Sequence, residues 1–600
     1  MFRERIIQFV ILIFSAAAFT AAGFLAKPLN SRRPLKYQYE QVITKHPKIV
    51  LLQLAPGGLR APLLTYLWIR SQQLKEDGKF FDAKQQRDLI CDLMPHFSGV
   101  WAYHAWDMAW NISVATHTPE ERWLWVSNGI RLIRDRGLKY NPNDLILYRE
   151  LAWIFFSKMG QYTDEMHMIY KQRWAAQMHR LLGASPISES TEDVIKAFAP
   201  IAEAPDKLED LLKIPQVNEY VEQLKKFGIK LDETFLEYYN RYSDDPLVAP
   251  PTWMRVEPET DKEKQIAELM RSDKYASARK KVLAFVRKKL LTEKYRMDAD
   301  WMLKLMKRYG PLDWRNVNSH ALYWSTLGLH RAMNLDLGEI HALNNDRILL
   351  GALKSLTRTG QIYYTPNPND PDNPFIEWGP DWRFIEPTNR EYLRAERILV
   401  GPKGKIDDEK NTLRDGHITY LSNVVQMLYL GGREKLARKY YDVIKDVLKA
   451  KGKIYQLSLH DFVIEKRREA GVPTVEMTWA LFVSALRNAY RALAGGNHID
   501  YTRYRAFAKR IYSTYVKHVG NKPRLKPKPF DELERDFIIT LMLRPRAVGL
   551  FMPLVIKAKL YNTLSPQMQR AVYPYIAPTI KSQCQQEGLD FNRAFPAPKE

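Results

Sequence analysis

The chain has 600 residues, 46% hydrophobic and 12% aromatic, with 91 basic against 68 acidic side chains and a net charge of +23. That apolar and aromatic content excludes a disordered chain, and the length calls for several folding units or one long solenoid. Only Cys91 and Cys584 are present, which excludes a disulfide framework and a zinc site of clustered thiolates. Cys91, between Ile90 and Leu93, reads as a packed thiol.

Residues 1–27 open with Arg3 and Arg5 and continue as Ile6–Ala26, twenty-one residues without a charge. About twenty such residues span a bilayer core, so the segment reads as a transmembrane anchor, with a cleaved signal segment as the rival. The expected protein is therefore single-pass, with its body outside the cytoplasm. Residues 28–48 form a polar tether.

Residues 49–183 carry repeat punctuation. Gly78, Phe80, Ala83, Ile90 and Pro95 are separated by two, three, seven and five residues. Glycine ends one helix, a small alanine lets two helices cross, and proline forces the turn. Trp101 follows Pro95 by six residues and Tyr148 follows Pro142 by the same six. Between these units lies an apparent insertion, Ile112 to Tyr140. Within it Thr118-Pro119-Glu120-Glu121 predicts a capping box at a helix start.

This spacing resembles the tetratricopeptide-repeat superfamily. Residues 54–183 also resemble a group of large membrane-anchored bacterial proteins of planctomycete type. The likeness runs through Gly57-Gly58-Leu59-Arg60, Leu67-Trp68-Ile69-Arg70 and His104-Ala105-Trp106-Asp107-Met108-Ala109-Trp110-Asn111-Ile112-Ser113, and touches Gly310–Arg315 and His320–Trp324. The resemblance implies a helical scaffold and carries no activity or functional residue with it.

Residues 184–260 are richer in Asp, Glu and Pro and read as an irregular linker with short helices. Helices resume across 261–516. One of them surrounds Val282, Leu283 and Phe285 with Lys280, Lys281, Arg287, Lys288 and Lys289, which reads as a solvated face. Asp313, Trp314, Arg315, His320, Tyr323 and Trp324 form a polar-aromatic cluster, with His320, Tyr323 and Trp324 on one helical face. Residues 360–387 interrupt the helical rhythm with two expected strands, Gln361–Tyr364 and Phe375–Trp378, and with Trp382 beyond. A proline-rich excursion of this kind is a candidate binding loop whose deletion should spare the scaffold. Residues 517–529 form a basic linker, and 530–600 a C-terminal helical region in which Phe537–Tyr561 reads as buried helices.

No nucleotide-binding, hydrolase or metalloprotease motif is present, and no catalytic, cofactor or metal-ligand set is assigned. The expected fold is all-α: a helical-hairpin, tetratricopeptide-like α-solenoid with an N-terminal transmembrane helix and a small β-hairpin-like insertion. The expected function is a membrane-tethered scaffold for a protein partner. Tyr103, His104, Trp106, Asp313, Trp314, Arg315, His320, Tyr323, Trp324, Trp378 and Trp382 are its candidate binding surface. The alternatives are a cell-envelope enzyme acting on a glycan or lipid intermediate, centred on Asp313–Trp324, and an electrostatic adaptor for anionic lipid or another polyanion, with nucleic acid the least expected partner.

Overall fold

The computed structural model describes Ile13–Ser15, Ala17, Ala18 and residues 60–598, except 187, 189, 249–256, 333–338, 366–371, 373, 401–411, 431–432, 470–474, 495–497, 520–525, 549–551, 553 and 588–589. The protein is all-α apart from one two-stranded sheet among these residues. It divides into two compact units, Met1–Ile154 with Gly328–Leu337, and Phe155–Leu327 with Gly338–Glu600.

The expected single-pass anchor is not supported, because no helix among the described residues is long and apolar enough to cross a membrane. Long helices here carry charges along their length: Glu339–Thr359 contains Asp346, Arg347, Lys354 and Arg358. Most of 1–27 and all of the 28–48 tether lie outside the described residues.

In the first unit, helices Arg60–Glu76 and Phe80–Leu93 form a hairpin that turns at Gly78, whose φ of 75° is the left-handed conformation glycine adopts without strain. The next helix, Ser98–Trp106, runs on through a π-helical stretch, Asp107–Ile112. The six-residue offset after proline has a local cause. The Trp101 indole donates to the Pro95 carbonyl at 3.0 Å, and the Tyr148 hydroxyl donates to the Pro142 carbonyl at 2.8 Å. Ile112 to Tyr140, read as an insertion, contains helix Pro119–Arg131 with the capping box of Thr118 and Glu121 in place. This helix is integral to the core: Trp125, Val126 and Ile130 are buried with Ala83, Ile90, Cys91, Trp101 and Ala105. Burial raises the Cys91 thiol far above its ordinary range, so it stays protonated and inert.

In the second unit, the described part of 184–260 carries the short helices expected there, and they are packed into the unit. Thr191–Glu203, Pro215–Lys226 and Glu233–Tyr242 each bury a stripe, such as Val194, Phe198 and Ile201, and they pack on helices Ala276–Glu293 and Ala299–Tyr309. Their charge belongs to the opposite faces, which is why composition alone read as linker. Strands Gln361–Thr365 and Phe375–Gly379 pair antiparallel with Tyr363 opposite Glu377. Phe384 and Ile385 are fully buried, and the Asp381 amide donates to Thr357 O at 3.0 Å, so the described part of 360–387 is tied into the unit. At the C-terminal end, Phe530–Leu543, Leu554–Thr563 and Pro566–Glu587 share one core with Leu481, Leu486 and Tyr490 of helix Val475–Ala494.

Candidate functional site: an aromatic face over a buried ion cluster

Helices Arg60–Glu76 and Ser98–Trp106 place Trp68 beside Tyr103, with ring centroids 5.1 Å apart. Tyr103 lies 6.3 Å from Trp106, and Trp106 stacks on Trp110 at 6.4 Å. Trp68, Tyr103 and Trp106 remain 40%, 38% and 37% exposed, and Tyr66 and Ile69 are exposed on the same helix as Trp68. Large aromatic side chains held in register yet open to water are what protein interfaces use as anchors.

Beneath this face, Asp107 is wholly buried at the start of the π-helical stretch. Its Oδ1 accepts from Lys75 Nζ and from Asn111 Nδ2, each at 2.6 Å, and its Oδ2 accepts from Arg87 Nη1. Burial raises the Asp107 carboxyl, but hydrogen bonds from Lys75 and Asn111 and the charge of Arg87 outweigh it and hold the group below the usual carboxylate range. The cluster thus pins three successive helices through one side chain.

His104 is 1% exposed, against Trp68 and Tyr103, and neither ring nitrogen has a hydrogen-bond partner. Burial and the Arg87 charge lower it to about 3, against the opposite pull of Asp107, so the imidazole is neutral. Of the three residues expected here as surface, Tyr103 and Trp106 are exposed, and His104 is packing beneath them.

The second expected cluster is core. Asp313, Trp314, Arg315, His320, Tyr323 and Trp324 are all buried. His320 Nε2 bonds Trp314 O at 2.7 Å, and its ring stacks on Phe155. The Tyr323 hydroxyl accepts from the Asp298 amide at 2.7 Å. Their spacing of three and four places them on a face that a neighbouring helix covers. Arg315 grips Asp313 through Nε and Nη2, and Asp381 is held the same way by Arg383. The two carboxylates lining the small cleft beside Gly360 are therefore each bound to a guanidinium. Trp378 and Trp382 are half-buried, Trp378 against Ile362 and Ile376, Trp382 against the core around Tyr392 and Leu421.

Sequence reasoning assigned no role to Trp68, Lys75 or Arg87. A usable signal was present for the first: Leu67-Trp68-Ile69 are consecutive apolar residues in a helix, and one buried face cannot take all three. No group of acidic, histidine and cysteine side chains suited to a metal ion occurs among the described residues. Comparison with protein-family models, curated proteins and solved structures finds no match.

Proposed function

We propose that the protein is a scaffold of stacked helical hairpins of the tetratricopeptide kind, and that it binds a partner protein through the aromatic face of Trp68, Tyr103 and Trp106. The observation that carries this reading is the exposure of three large aromatic rings on two helices whose positions are fixed by the buried Asp107 cluster. Preorganised aromatics lose little entropy on docking and supply most of the energy in a typical interface. The partner chemistry is an amphipathic helix with apolar anchors and acidic flanks. Exposed Arg70 on the same helix as Trp68, and a chain charge of +23, complement such flanks.

The test places a photo-crosslinking side chain at Tyr103, and at Ser127 as control, in otherwise intact protein in its native cell. The reading expects one protein joined at position 103 and not at 127, lost in the Trp68→Ala/Trp106→Ala double variant. Equal labelling at both positions, or labelling unchanged in the double variant, refutes it.

A further inference from the structure

Arg287 lies on helix Ala276–Glu293, in the same stripe as buried Leu283, Val286 and Leu290, and its guanidinium is enclosed. Its Nε donates to Leu181 O at 3.0 Å, whereas Nη2 has no hydrogen-bond partner. The carboxylate whose charge reaches it is Asp245, and both oxygens of that group are occupied: Oδ2 accepts from the Tyr239 hydroxyl at 2.8 Å and Oδ1 from the Leu247 amide at 2.9 Å. A buried guanidinium without an ion-pair partner is costly unless an anion completes it.

Arg287 walls a small cleft of about 50 Å³ that is otherwise mostly apolar, with Phe198, Ile201 and Met306 in its wall, and that also includes Ser185, Asp313 and Arg315. Arg315 is paired with Asp313 at 2.6 Å, whereas Arg287 Nη2 has no hydrogen-bonded anion. Past Ala184, Ser185 and Arg315, which belong to both walls, lies a cavity of about 460 Å³. It is lined by Ile362, Tyr364, Leu543 and Met552, with Arg544 and Arg546 beside them. His179 stacks on Tyr364 at 3.8 Å with Nδ1 enclosed and unpartnered; burial and then Arg315, Arg287 and Arg180 hold it neutral. Arg287 thus borders a narrow, mostly apolar cleft that also holds the Arg315–Asp313 pair, and the larger cavity beyond has an aromatic and aliphatic wall with Arg544 and Arg546 at its side.

We propose that this is a binding site for a small monocarboxylate with an apolar body, its carboxylate on Arg287 beside the Arg315–Asp313 pair and its body in the cavity of Tyr364, Leu543 and Met552. One guanidinium with an unpartnered Nη2 matches a monoanion, and a planar carboxylate suits both the narrow cleft and the fork of an arginine. A phosphate dianion would need a second free cation in the cleft, and Arg315 is already taken.

Titration calorimetry on the full chain tests this with phenylacetate, acetate, 2-phenylethanol and inorganic phosphate as probes. Phenylacetate should bind saturably at one site, about ten-fold or more tighter than acetate or the neutral alcohol. Arg287→Gln should abolish that preference over the alcohol. Ser185→Leu, which keeps the arginine and narrows the passage, should weaken phenylacetate by a similar factor and decides the matter if Arg287→Gln does not fold. The site is refuted by no saturable phenylacetate binding, by alcohol or phosphate binding as tightly as phenylacetate, or by unchanged phenylacetate binding in a folded variant.

Discussion

The indole Nε1 of Trp101 donates to the carbonyl oxygen of Pro95 at 3.0 Å. Proline ends the preceding helix and exposes a carbonyl, and an aromatic donor one helical turn into the next element satisfies it. Asn141 Nδ2 meets the same oxygen at 2.8 Å, so the turn is closed from two sides.

Trp101→Phe keeps an aromatic ring in a fully buried position but removes the donor. It should cost about 1–3 kcal/mol through the lost bond and the smaller ring. Urea unfolding read by tryptophan fluorescence checks this, and a loss below 0.5 kcal/mol would mean that Asn141 alone holds the turn.

Asp107→Asn leaves Arg87 buried with no full counter-charge and should destabilise the first unit by about 3–5 kcal/mol. Lys75→Met should cost far less, because its side chain is 20% exposed and the carboxylate keeps Arg87 and Asn111. Thermal unfolding of the two variants measures the difference. Equal losses would place the energy in packing rather than charge.

His104, lowered to about 3 by burial and Arg87, makes the folded state sensitive to mild acid. The unfolded chain takes up the proton first, so the stability from neutral His104 is complete above about pH 6.5. It is lost progressively as pH falls toward 3, by about 2 kcal/mol at pH 5. Glu150 acts oppositely: burial raises its carboxyl to about 7, so its contribution falls as pH rises from 4.5 to 7. The informative measurement is therefore the difference in urea midpoint between wild type and His104→Phe at pH 7.5 and 5. A difference that does not change with pH would contradict the assignment.

Gly129 is where two helices of the first unit touch, since a Cβ there would stand 2.8 Å from Ala105 O. Gly129→Ala gains helix propensity of about 1 kcal/mol, but the backbone it meets cannot give, and a net loss of about 1–3 kcal/mol is expected. Calorimetric melting tests the sign.

Phe384→Ala should cost about 3–5 kcal/mol in the second unit, because the ring is fully buried. Deleting 360–387 should abolish cooperative unfolding of that unit. Retention of a sharp transition would restore the view of this segment as a detachable loop.

Much was legible in local pattern. The Pro95–Trp101 and Pro142–Tyr148 offsets, the Thr118–Glu121 cap and the hairpin strands follow from chemistry between residues close in sequence, and each stands in the structure. Burial was not legible in the same way. Helical spacing grouped His320, Tyr323 and Trp324 correctly on one face, but whether that face meets water or another helix depends on elements far along the chain, and here it is covered. Arg287 shows the same limit: it is followed in sequence by Lys288 and Lys289, while its neighbours in space include Leu181 and Gly183, brought there by the packing of separate helices. Backbone hydrogen bonding and capping are decided within a few residues. Desolvation, and with it the charge and exposure of a functional group, is decided only when distant elements pack.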